Sequence, residues 1–321
     1  MSAPKVVIVT PAPPGSRAGN RNTASRWAHI LRELGCRVLI RTQWQGEDCD
    51  LLVALHARKS HFSLRAYRKG HPDRPTVLAL TGTDVYRDIR KDEDAAASLE
   101  MATRMVVLQE DAIEELTPSQ RRKTHVIHQS VVTSLTRRPS RHTFRVCVLG
   151  HLREEKDPFR TALALRLLPD VPMEVVHAGM SLSAKMKREA DRHMRKEPRY
   201  RWVGERPHWE AMRLLSHSHA MVISSKMEGG AHVVSEAIAI GIPVIASDIP
   251  GNRGLLGADY PGYFSAGEEA DLARLLRRAS DDHRYLDRLA AAVKRRRPLV
   301  DPLRERRSWQ KLLRGLGFRT I

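Results

Sequence analysis

Residues 219–247 read HAMVISSKMEGGAHVVSEAIAIGIPVIAS. Apolar residues fill the first and last parts of this stretch, as in strands that are buried on both faces of a parallel sheet. Between them, residues 232–240 have helical spacing, and Gly229 and Gly230 stand just before that segment. The stretch therefore predicts a strand, a glycine-containing loop, a helix and a second parallel strand, which is the repeating unit of an α/β fold.

The same alternation runs along the rest of the chain. Short apolar runs that suit strands lie at residues 5–11, 37–42, 50–56, 75–81, 104–109, 125–130 (the weakest), 144–150, 173–179, 200–204, 219–225 and 242–247. Runs with helical spacing lie at residues 23–34, 61–69, 94–103, 158–168, 181–196, 207–217, 232–240, 271–278, 282–297 and 303–316. We predict an α/β protein made of two Rossmann-like, doubly wound domains.

A polar, basic segment with a proline, TRRPSRHT at residues 136–143, interrupts the alternation. It has the composition of an interdomain linker, and 321 residues are more than one compact core usually holds. We predict an N-terminal domain at residues 1–137 and a second domain at residues 138–298. We expect the remaining residues, 299–321, to form a C-terminal helix that packs back on the N-terminal domain.

The chain is strongly basic, with 55 Lys and Arg against 37 Asp and Glu and a net charge of +18. This excess favours anionic partners, namely nucleic acid, anionic lipid or phosphorylated small molecules, although a solvated basic surface explains it equally well. Aromatic residues, which form the stacking platforms of single-strand binding, make up only 5% of the chain. We therefore expect no nucleic-acid partner.

The cysteines and the apolar runs of the sequence exclude further classes of protein. Cys36, Cys49 and Cys147 show no CxxC spacing, which argues against a zinc knuckle or a disulfide framework. The first residues, MSAPKVVIVTP, are typical of a strand and not of a signal peptide, and no apolar run reaches the roughly 20 residues of a membrane-spanning helix. We expect a cytoplasmic protein without a transmembrane segment.

Two loops after strands of the second half are candidates for ligand binding, because ligands of open α/β sheets bind at the carboxyl ends of the strands. The loop after 144–150 contains His151, Arg153 and Lys156. Cations beside a helix N-terminus suit a phosphate or a diphosphate, and the alternative is an exposed basic loop.

The loop after 219–225 contains Glu228, whose carboxylate can accept hydrogen bonds from sugar hydroxyls. The backbone of Gly229, Gly230, Ala231 and His232 can approach a ligand and offer N–H groups to an anion. Glu236 lies about one turn into the helix, where a carboxylate needs partners. A ribose diol would supply two donors, and a salt bridge to Arg or Lys is the alternative.

Lys156, the pair Glu228 and Glu236, GIPVIAS at residues 241–247 and Pro250-Gly251-Asn252 together resemble the retaining GT-B glycosyltransferases of the family-4 type. That resemblance implies two domains that face a central cleft. It places Glu228 toward the donor sugar, Glu236 on the nucleotide ribose and the backbone of residues 229–232 against sugar and phosphate. The same resemblance implies that Arg153 and Lys156 neutralise the departing diphosphate, so we name Arg153, Lys156 and Glu228 as catalytic.

This sequence departs from the family pattern at two positions. His151 stands where the family usually has an arginine, and Asp157 stands where a glycine usually follows the lysine. Either Arg153 substitutes for that arginine or the diphosphate clamp is weaker.

Three polar stretches follow strands of the first half, at residues 19–23, 56–60 and 81–86. Their small, donor-rich side chains suit a small, charged acceptor better than an acyl chain. The alternative is ordinary turn and capping chemistry.

GNxxTAxRW, HARKS, LTGTDxYRDI, HLREEKDPFR and KMEGGAxVVSEA together resemble bacterial selenosugar synthases of selenoneine biosynthesis, from about residue 5 to residue 264. That resemblance implies transfer of a sugar from a UDP-sugar to selenophosphate. Within it, Arg58, Lys59, Thr81 and Thr83 are candidates for holding the phosphate oxygens, and His56 is either a base or a packed histidine. The residues expected to bind the acceptor are Gly19, Asn20, Thr23, His56, Arg58, Lys59, Thr81, Gly82, Thr83 and Asp84.

We expect no cofactor and no metal, because cations and a helix N-terminus can stabilise the leaving group. Three alternatives stay open. They are the same fold with another acceptor (a glycan, a lipid or a small metabolite), a nucleotide-sugar epimerase, and a basic nucleic-acid-binding module.

Overall fold

The computed structural model describes residues 3–16 and 19–321. The chain forms two compact units. Unit 1 comprises Met1–Ser130 together with Asp301–Ile321, and unit 2 comprises Val131–Val300. Within the described residues, no helix has both the length and the apolar character needed to cross a membrane.

Unit 1 contains a six-stranded parallel sheet. Its strands are β1 (Lys5–Val9), β2 (Arg37–Arg41), β3 (Leu51–Leu55), β4 (Thr76–Leu80), β5 (Arg104–Val107) and β6 (Thr124–Val126). They lie in the order β2-β1-β3-β4-β5-β6, so the order reverses between β1 and β3. Ile8 of β1 lies opposite Ile40 of β2 and Val53 of β3. Strand β3 is buried along its whole length, which explains its uniformly apolar sequence LLVAL.

Helices pack on this sheet through apolar residues at helical spacing. They are α1 (Gly19–Glu33), α2 (His61–Gly70), α3 (Thr83–Tyr86), α4 (Glu93–Met101) and α5 (Pro118–Arg122). Helix α1 buries Ala24, Trp27 and Leu31, which share one face. The chain turns after this helix at Gly35, whose φ of 89° is the left-handed conformation that favours glycine.

Unit 2 contains a second six-stranded parallel sheet. Its strands are β7 (Phe144–Leu149), β8 (Met173–Ala178), β9 (Tyr200–Trp202), β10 (Ala220–Ile223), β11 (Val244–Ser247) and β12 (Tyr263–Phe264). Their order is β12-β11-β10-β7-β8-β9, so β7 and β10 are neighbours although three helices and two strands separate them in the sequence. The order of the strands reverses at this pair, which makes it the topological switch point of the unit.

The helices of unit 2 are α6 (Arg160–Arg166), α7 (Ala184–Lys196), α8 (His208–Ser216), α9 (His232–Ile240), α10 (Pro250–Leu256), α11 (Glu269–Asp281) and α12 (His283–Arg295). Helix α9 is the most apolar in sequence and has six buried residues. It ends at Gly241, whose φ is 88°.

The last helix, α13 (Pro302–Gly315), belongs to unit 1. Trp309 packs edge-on against Trp27, with 4.9 Å between the ring centroids, and both rings are fully buried. Glu305 is buried beside them and accepts hydrogen bonds from Trp27 Nε1 (2.9 Å) and from the backbone N–H of Ser130 (2.8 Å). Burial raises the pKa of Glu305.

The boundary between the units lies at Ser130 and Val131, earlier than the 137–138 boundary expected from the sequence. Backbone hydrogen bonds explain the difference. Arg138 N donates to Ser216 O (2.7 Å) and Ser140 N donates to His217 O (3.1 Å), so the segment 136–143 is bound to the end of α8. The segment expected to be a linker is therefore part of unit 2.

The predicted fold class is confirmed, since each unit is a doubly wound parallel sheet with helices. The predicted helix at 232–240 matches α9 in both bounds, whereas the strand expected at 125–130 is the three-residue β6. The sequence analysis missed β12, α3, α5 and α10, all of seven residues or fewer. Elements this short carry too few apolar repeats for periodicity to reveal them.

The packing of Trp309 predicts a large loss of stability on truncation. We expect Trp309→Ala to lower the free energy of unfolding by about 3–5 kcal/mol, because it empties a fully buried site against Trp27. Trp209→Ala is the matched control, since Trp209 is 63% exposed, and we expect a change of no more than about 0.5 kcal/mol. Urea unfolding followed by circular dichroism measures both, and equal effects would contradict this account of the packing.

Candidate functional site

The carboxyl ends of β7 and β10 lie side by side in unit 2, because these strands pair in parallel with Cys147 opposite Met221. The loops that follow them contain Lys156 and Glu228. Ligands of doubly wound sheets bind outside the carboxyl ends of the strands, at the switch point. This edge of unit 2 is therefore the first candidate for a ligand site.

Lys156 and Glu228 are in direct contact. The ammonium group of Lys156 donates to Oε1 of Glu228, and the hydroxyl of Ser225 donates to the same oxygen at 2.6 Å. The side chains of Lys156 and Glu228 are 22% and 11% exposed. The structure thus joins the cation expected to face the diphosphate and the carboxylate expected to face the sugar.

Backbone contacts hold the two loops together. Lys226 N donates to Glu155 O (2.8 Å), and the hydroxyl of Ser224 donates to Asp157 O (2.8 Å). Asp157 has a φ of 43°, in the left-handed region, and Arg160 Nε donates to its carboxylate (2.8 Å). Aspartate is one of the few non-glycine residues that tolerate this conformation, which explains how it can stand where the family pattern has glycine.

Gly251 packs directly against the loop that contains Glu228. A Cβ atom built on Gly251 would lie 2.0 Å from the carbonyl oxygen of Glu228. Only glycine permits this approach, so the Pro250-Gly251-Asn252 segment fixes how close α10 lies to Glu228.

Glu236 lies on α9 and is buried, with a side chain 6% exposed. Its Oε1 lies 2.7 Å from His208 Nε2 and 3.7 Å from His232 Nε2. Among the described residues, its partners are therefore two imidazoles and not the Arg or Lys of the alternative interpretation. Ala231 is the N-cap of α9 and His232 its first residue, while Gly229 is buried and Gly230 half-buried in the loop before them.

His151 and Arg153 lie on the loop after β7. His151 Nδ1 accepts a hydrogen bond from Met180 N (3.1 Å), whereas the side chain of Arg153 is exposed. Arg153 therefore lies in the same loop as Lys156 and is accessible to an anion.

His177, on β8, contacts the start of this loop through a hydrogen bond to Gly150. Its Nε2 lies 2.9 Å from Gly150 O and its Nδ1 lies 2.8 Å from the hydroxyl of Tyr200, so a neutral ring with the proton on Nε2 satisfies both partners. Burial lowers the pKa of His177 to about 4. Gly179 also lies against this strand end, because a Cβ there would lie 1.8 Å from Gly150 O.

His56 follows β3 at the carboxyl edge of the sheet of unit 1. It is buried, and its φ of 77° is strained for a residue with a side chain. Its Nδ1 lies 3.9 Å from Asp84 Oδ2 and its Nε2 lies 3.8 Å from Asp88 Oδ2. Burial lowers the pKa of His56, and the negative charge of Asp84 partly offsets this effect.

Asp84 ties two of the expected acceptor loops together. It is fully buried, and its two carboxylate oxygens accept the backbone N–H groups of Ala57 (3.0 Å) and Gly82 (2.8 Å). Gly82 is the N-cap of α3 and Thr83 its first residue, while Thr81 is half-buried just before them. The geometry gives Asp84 a role in holding the loops.

Arg58 and Lys59 are exposed beside this cluster. Arg58 Nε lies 3.7 Å from Asp88 Oδ2, and its Nη1 lies 3.8 Å from Asp92 Oδ2. Both distances exceed those of charge-assisted hydrogen bonds, so the guanidinium has donors available for an anion.

Gly19 and Asn20 begin α1 at the neighbouring strand end, after β1. The hydroxyl of Thr23 donates to Gly19 O (3.0 Å) and accepts from Gln129 Nε2 (2.6 Å). The hydroxyl of Thr23 is thus already engaged by the protein, whereas Gly19 is exposed and Asn20 half-exposed.

The sequence analysis missed four residues that these sites contain: Ser225, His208, Asp88 and Ser224. Two signals could have revealed some of them. Polar Ser224 and Ser225 end an otherwise apolar run directly before Glu228, and Asp88 lies one helical turn after Asp84. Within residues 3–16 and 19–321, no group of three or more His, Cys, Asp or Glu side chains is placed to hold a metal ion.

Comparisons with known proteins agree with this architecture. Residues 138–296 match the family described as glycosyl transferases group 1. The chain is 23% identical over 312 residues to glycosyltransferase 1 domain-containing protein 1 of Xenopus tropicalis, covering 87% of this chain and 89% of that one.

Two solved structures are similar over nearly their whole length. Sucrose-phosphate synthase from Thermosynechococcus elongatus has a TM-score of 0.79 at 16% identity and covers 98% of this chain and 99% of its own. The lipopolysaccharide outer core galactosyltransferase WaaB has a TM-score of 0.71 at 12% identity, and the match covers 97% of this chain and 99% of that one.

The fold is that of a GT-B glycosyltransferase. The family match to residues 138–296, together with this fold, supports glycosyltransferase activity. The matched residues contain the loops after β7 and β10.

The contact between Lys156 and Glu228 predicts that both residues are needed for turnover of a nucleotide-sugar. We expect Lys156→Ala and Glu228→Gln each to lower the rate of nucleoside diphosphate release by roughly 100-fold or more, because preorganised charge at the leaving group and the sugar is lost. Lys226→Ala, which removes an exposed cation from the same loop, is the matched control and should stay within about twofold of the wild type. Unchanged release in both site variants would show that the site lies elsewhere.

His177 predicts a loss of stability in acid. The pKa of His177 is about 4 in the folded protein, against the ordinary value of 6.5 for a histidine in the unfolded chain. Below pH 6.5 the unfolded chain therefore binds a proton that the folded chain does not. Stability therefore falls as the pH decreases from about 6.5 to about 4, by up to about 3 kcal/mol from this residue.

The measurement is the free energy of unfolding at pH 7 and at pH 4.5. We expect His177→Gln to be less stable than the wild type at pH 7 but to lose less stability between the two values. His29→Gln, at a side chain 75% exposed, should follow the wild type. Parallel behaviour of His177→Gln and the wild type would disprove this role of His177.

Proposed function

We propose that the protein transfers a sugar of the glucose or N-acetylglucosamine type from a UDP-sugar to selenophosphate. The C1–O bond to UDP breaks, UDP departs with the electron pair, and selenium forms a bond to C1. Hydrolysis of the P–Se bond by water then releases phosphate and leaves a selenosugar. The donor half of this proposal is that the UDP-sugar binds in unit 2. The observation that supports it is the contact between Lys156 and Glu228 at the switch point of that unit.

On this proposal, charge and position supply the catalysis. Lys156, exposed Arg153 and the first backbone N–H groups of α9 stabilise the departing diphosphate, since anions bind well at a helix N-terminus. Glu228 accepts hydrogen bonds from the sugar, and Glu236 accepts them from the ribose. These cations make a metal ion unnecessary for departure of the leaving group.

The acceptor half of the proposal is supported by the exposed cations at the carboxyl edge of unit 1. Arg58 and Lys59 lie beside the rigid His56 loop, which hydrogen bonds to Asp84 hold in place. A compact anion such as selenophosphate matches two adjacent cations with available donors. The motifs shared with selenosugar synthases supply the choice of selenium over other anions.

A phosphorylated sugar is the competing acceptor. The exposed cations would bind its phosphate equally well, and one similar structure is a sucrose-phosphate synthase. This alternative keeps the donor site and changes only the nucleophile.

The test is mass spectrometry of the products from UDP-glucose and UDP-N-acetylglucosamine, with and without selenophosphate, in the presence of EDTA. We expect a selenium-containing sugar and a stoichiometric amount of UDP only when selenophosphate is present. Inorganic phosphate and glucose 6-phosphate serve as matched anions. UDP formation that does not depend on selenophosphate, or a product with glucose 6-phosphate alone, would refute the acceptor assignment.

Variants in unit 1 test the acceptor site separately. We expect Arg58→Ala and Lys59→Ala to raise the KM for selenophosphate by about tenfold or more, with the KM for the UDP-sugar unchanged, because each removes one charge-assisted contact. Lys69→Ala, an exposed cation at the far end of α2, is the control and should leave both values unchanged. If all three variants had the same KM for selenophosphate, the acceptor would bind elsewhere.

A further inference from the structure

Four buried polar side chains lie beneath the contact between Lys156 and Glu228. Ser224 and Ser225 follow β10, Ser247 ends β11, and Asn252 lies in α10. All four are at most 2% exposed. Strand ends buried on both faces are normally apolar, and a buried hydroxyl or amide is costly unless it forms hydrogen bonds.

Three of these residues are linked by a series of hydrogen bonds that passes through the backbone of Ser225 and ends on Glu228. The amide of Asn252 donates to the carbonyl (2.9 Å) and the hydroxyl (3.1 Å) of Ser247. The hydroxyl of Ser247 donates to Ser225 O (2.6 Å), and the hydroxyl of Ser225 donates to Glu228 Oε1 (2.6 Å). The series thus connects α10, through the ends of two neighbouring strands, to the carboxylate.

The direction of these bonds constrains Glu228. Its Oε1 receives the hydroxyl of Ser225 and the ammonium group of Lys156, and these two donors approach from the two different loops. Neither donor uses Oε2, so the carboxylate can present that oxygen to a hydroxyl outside the protein. Two donors on one oxygen also restrict rotation of the carboxylate about its terminal bond.

The position of Asn252 in this series has a cost in stability. Oδ1 of Asn252 is buried and has no hydrogen-bond partner in the described ranges, residues 3–16 and 19–321. An unsatisfied buried acceptor costs about 1–3 kcal/mol, and a site that bears such a cost calls for a reason other than stability. Holding the amide of Asn252 on Ser247 is a reason of that kind.

We propose that Ser225 and Ser247, held by Asn252, are positioning residues that orient the Glu228 carboxylate toward the donor sugar and toward Lys156. The proposal rests on the donor half of the proposed function and does not depend on which acceptor is used. Its consequence is that loss of either hydroxyl slows the glycosyl step more than loss of a buried hydroxyl elsewhere in unit 2, at an equal effect on stability.

Ser218, near the opposite end of β10, provides a matched control. It stands before β10, at the opposite end from Ser225, is fully buried, and donates its hydroxyl to Leu214 O (2.8 Å). Ser218→Ala, Ser225→Ala and Ser247→Ala each remove one buried hydroxyl at or near the end of a strand of this sheet. A purely structural role predicts similar effects of all three.

The first measurement is steady-state turnover of the UDP-sugar. We expect Ser225→Ala and Ser247→Ala to lower kcat by about 10- to 100-fold with KM for the UDP-sugar within about threefold of the wild type, since small misplacement of a catalytic group has effects of this size. Ser218→Ala should keep kcat within about twofold, and the unfolding midpoints of the three variants should agree. Equal kcat values in all three variants would overturn the proposal.

The second measurement is independent of the acceptor and of turnover. Full-length protein is treated with limiting acetic anhydride, and the acetylation of Lys156 relative to exposed Lys226 is read by mass spectrometry. We expect a several-fold rise of this ratio in Ser225→Ala and Ser247→Ala, because a loosened Glu228 protects the Lys156 amine less well, and no rise in Ser218→Ala. If selenophosphate is not a substrate but the ratio rises, the acceptor assignment fails and the positioning role stands; an unchanged ratio refutes the positioning role.

Discussion

The hydrogen bonds between the loop after β7 and the loop after β10 determine the arrangement of the candidate donor site. Strand order brings the two loops together, and the contacts from Lys226 to Glu155, from Ser224 to Asp157 and from Lys156 to Glu228 then join them. The contact between Lys156 and Glu228 needs both loops, because each loop supplies one of its two members. The site is therefore a property of the reversed strand order in unit 2.

The two glutamates of the candidate donor site have partners on neighbouring loops and helices. Glu228 contacts Lys156, and Glu236 lies between His208 and His232. Each carboxylate is thereby buried at lower cost, and on the proposed function sugar and ribose hydroxyls add to its hydrogen bonds. In unit 1, the buried carboxylate of Asp84 accepts two backbone N–H groups, and Arg58 and Lys59 are exposed.

Much of the fold could be predicted from the sequence, because buried parallel strands such as LLVAL at residues 51–55 are uniformly apolar and long helices such as α12 bury apolar residues at helical spacing. The positions of Lys156 and Glu228 in loops after strands, and of Glu236 in the helix that follows, could be predicted for the same reason. The partners could not, because Ser225, His208 and Asp88 belong to their sites only through hydrogen bonds and ion pairs set by the folded loops. The unit boundary differed because backbone hydrogen bonds, which composition does not reveal, bind residues 138 and 140 to unit 2.

The central claim is that a nucleotide-sugar binds at the strand ends where β7 and β10 meet. Hydrogen exchange of the full-length protein, measured with and without UDP, tests it most directly. The account predicts slower exchange at residues 150–157 and 224–236, the loops that the Lys156 and Glu228 contact joins. Slower exchange confined to the amino ends of the strands, or no change in either loop, would contradict it.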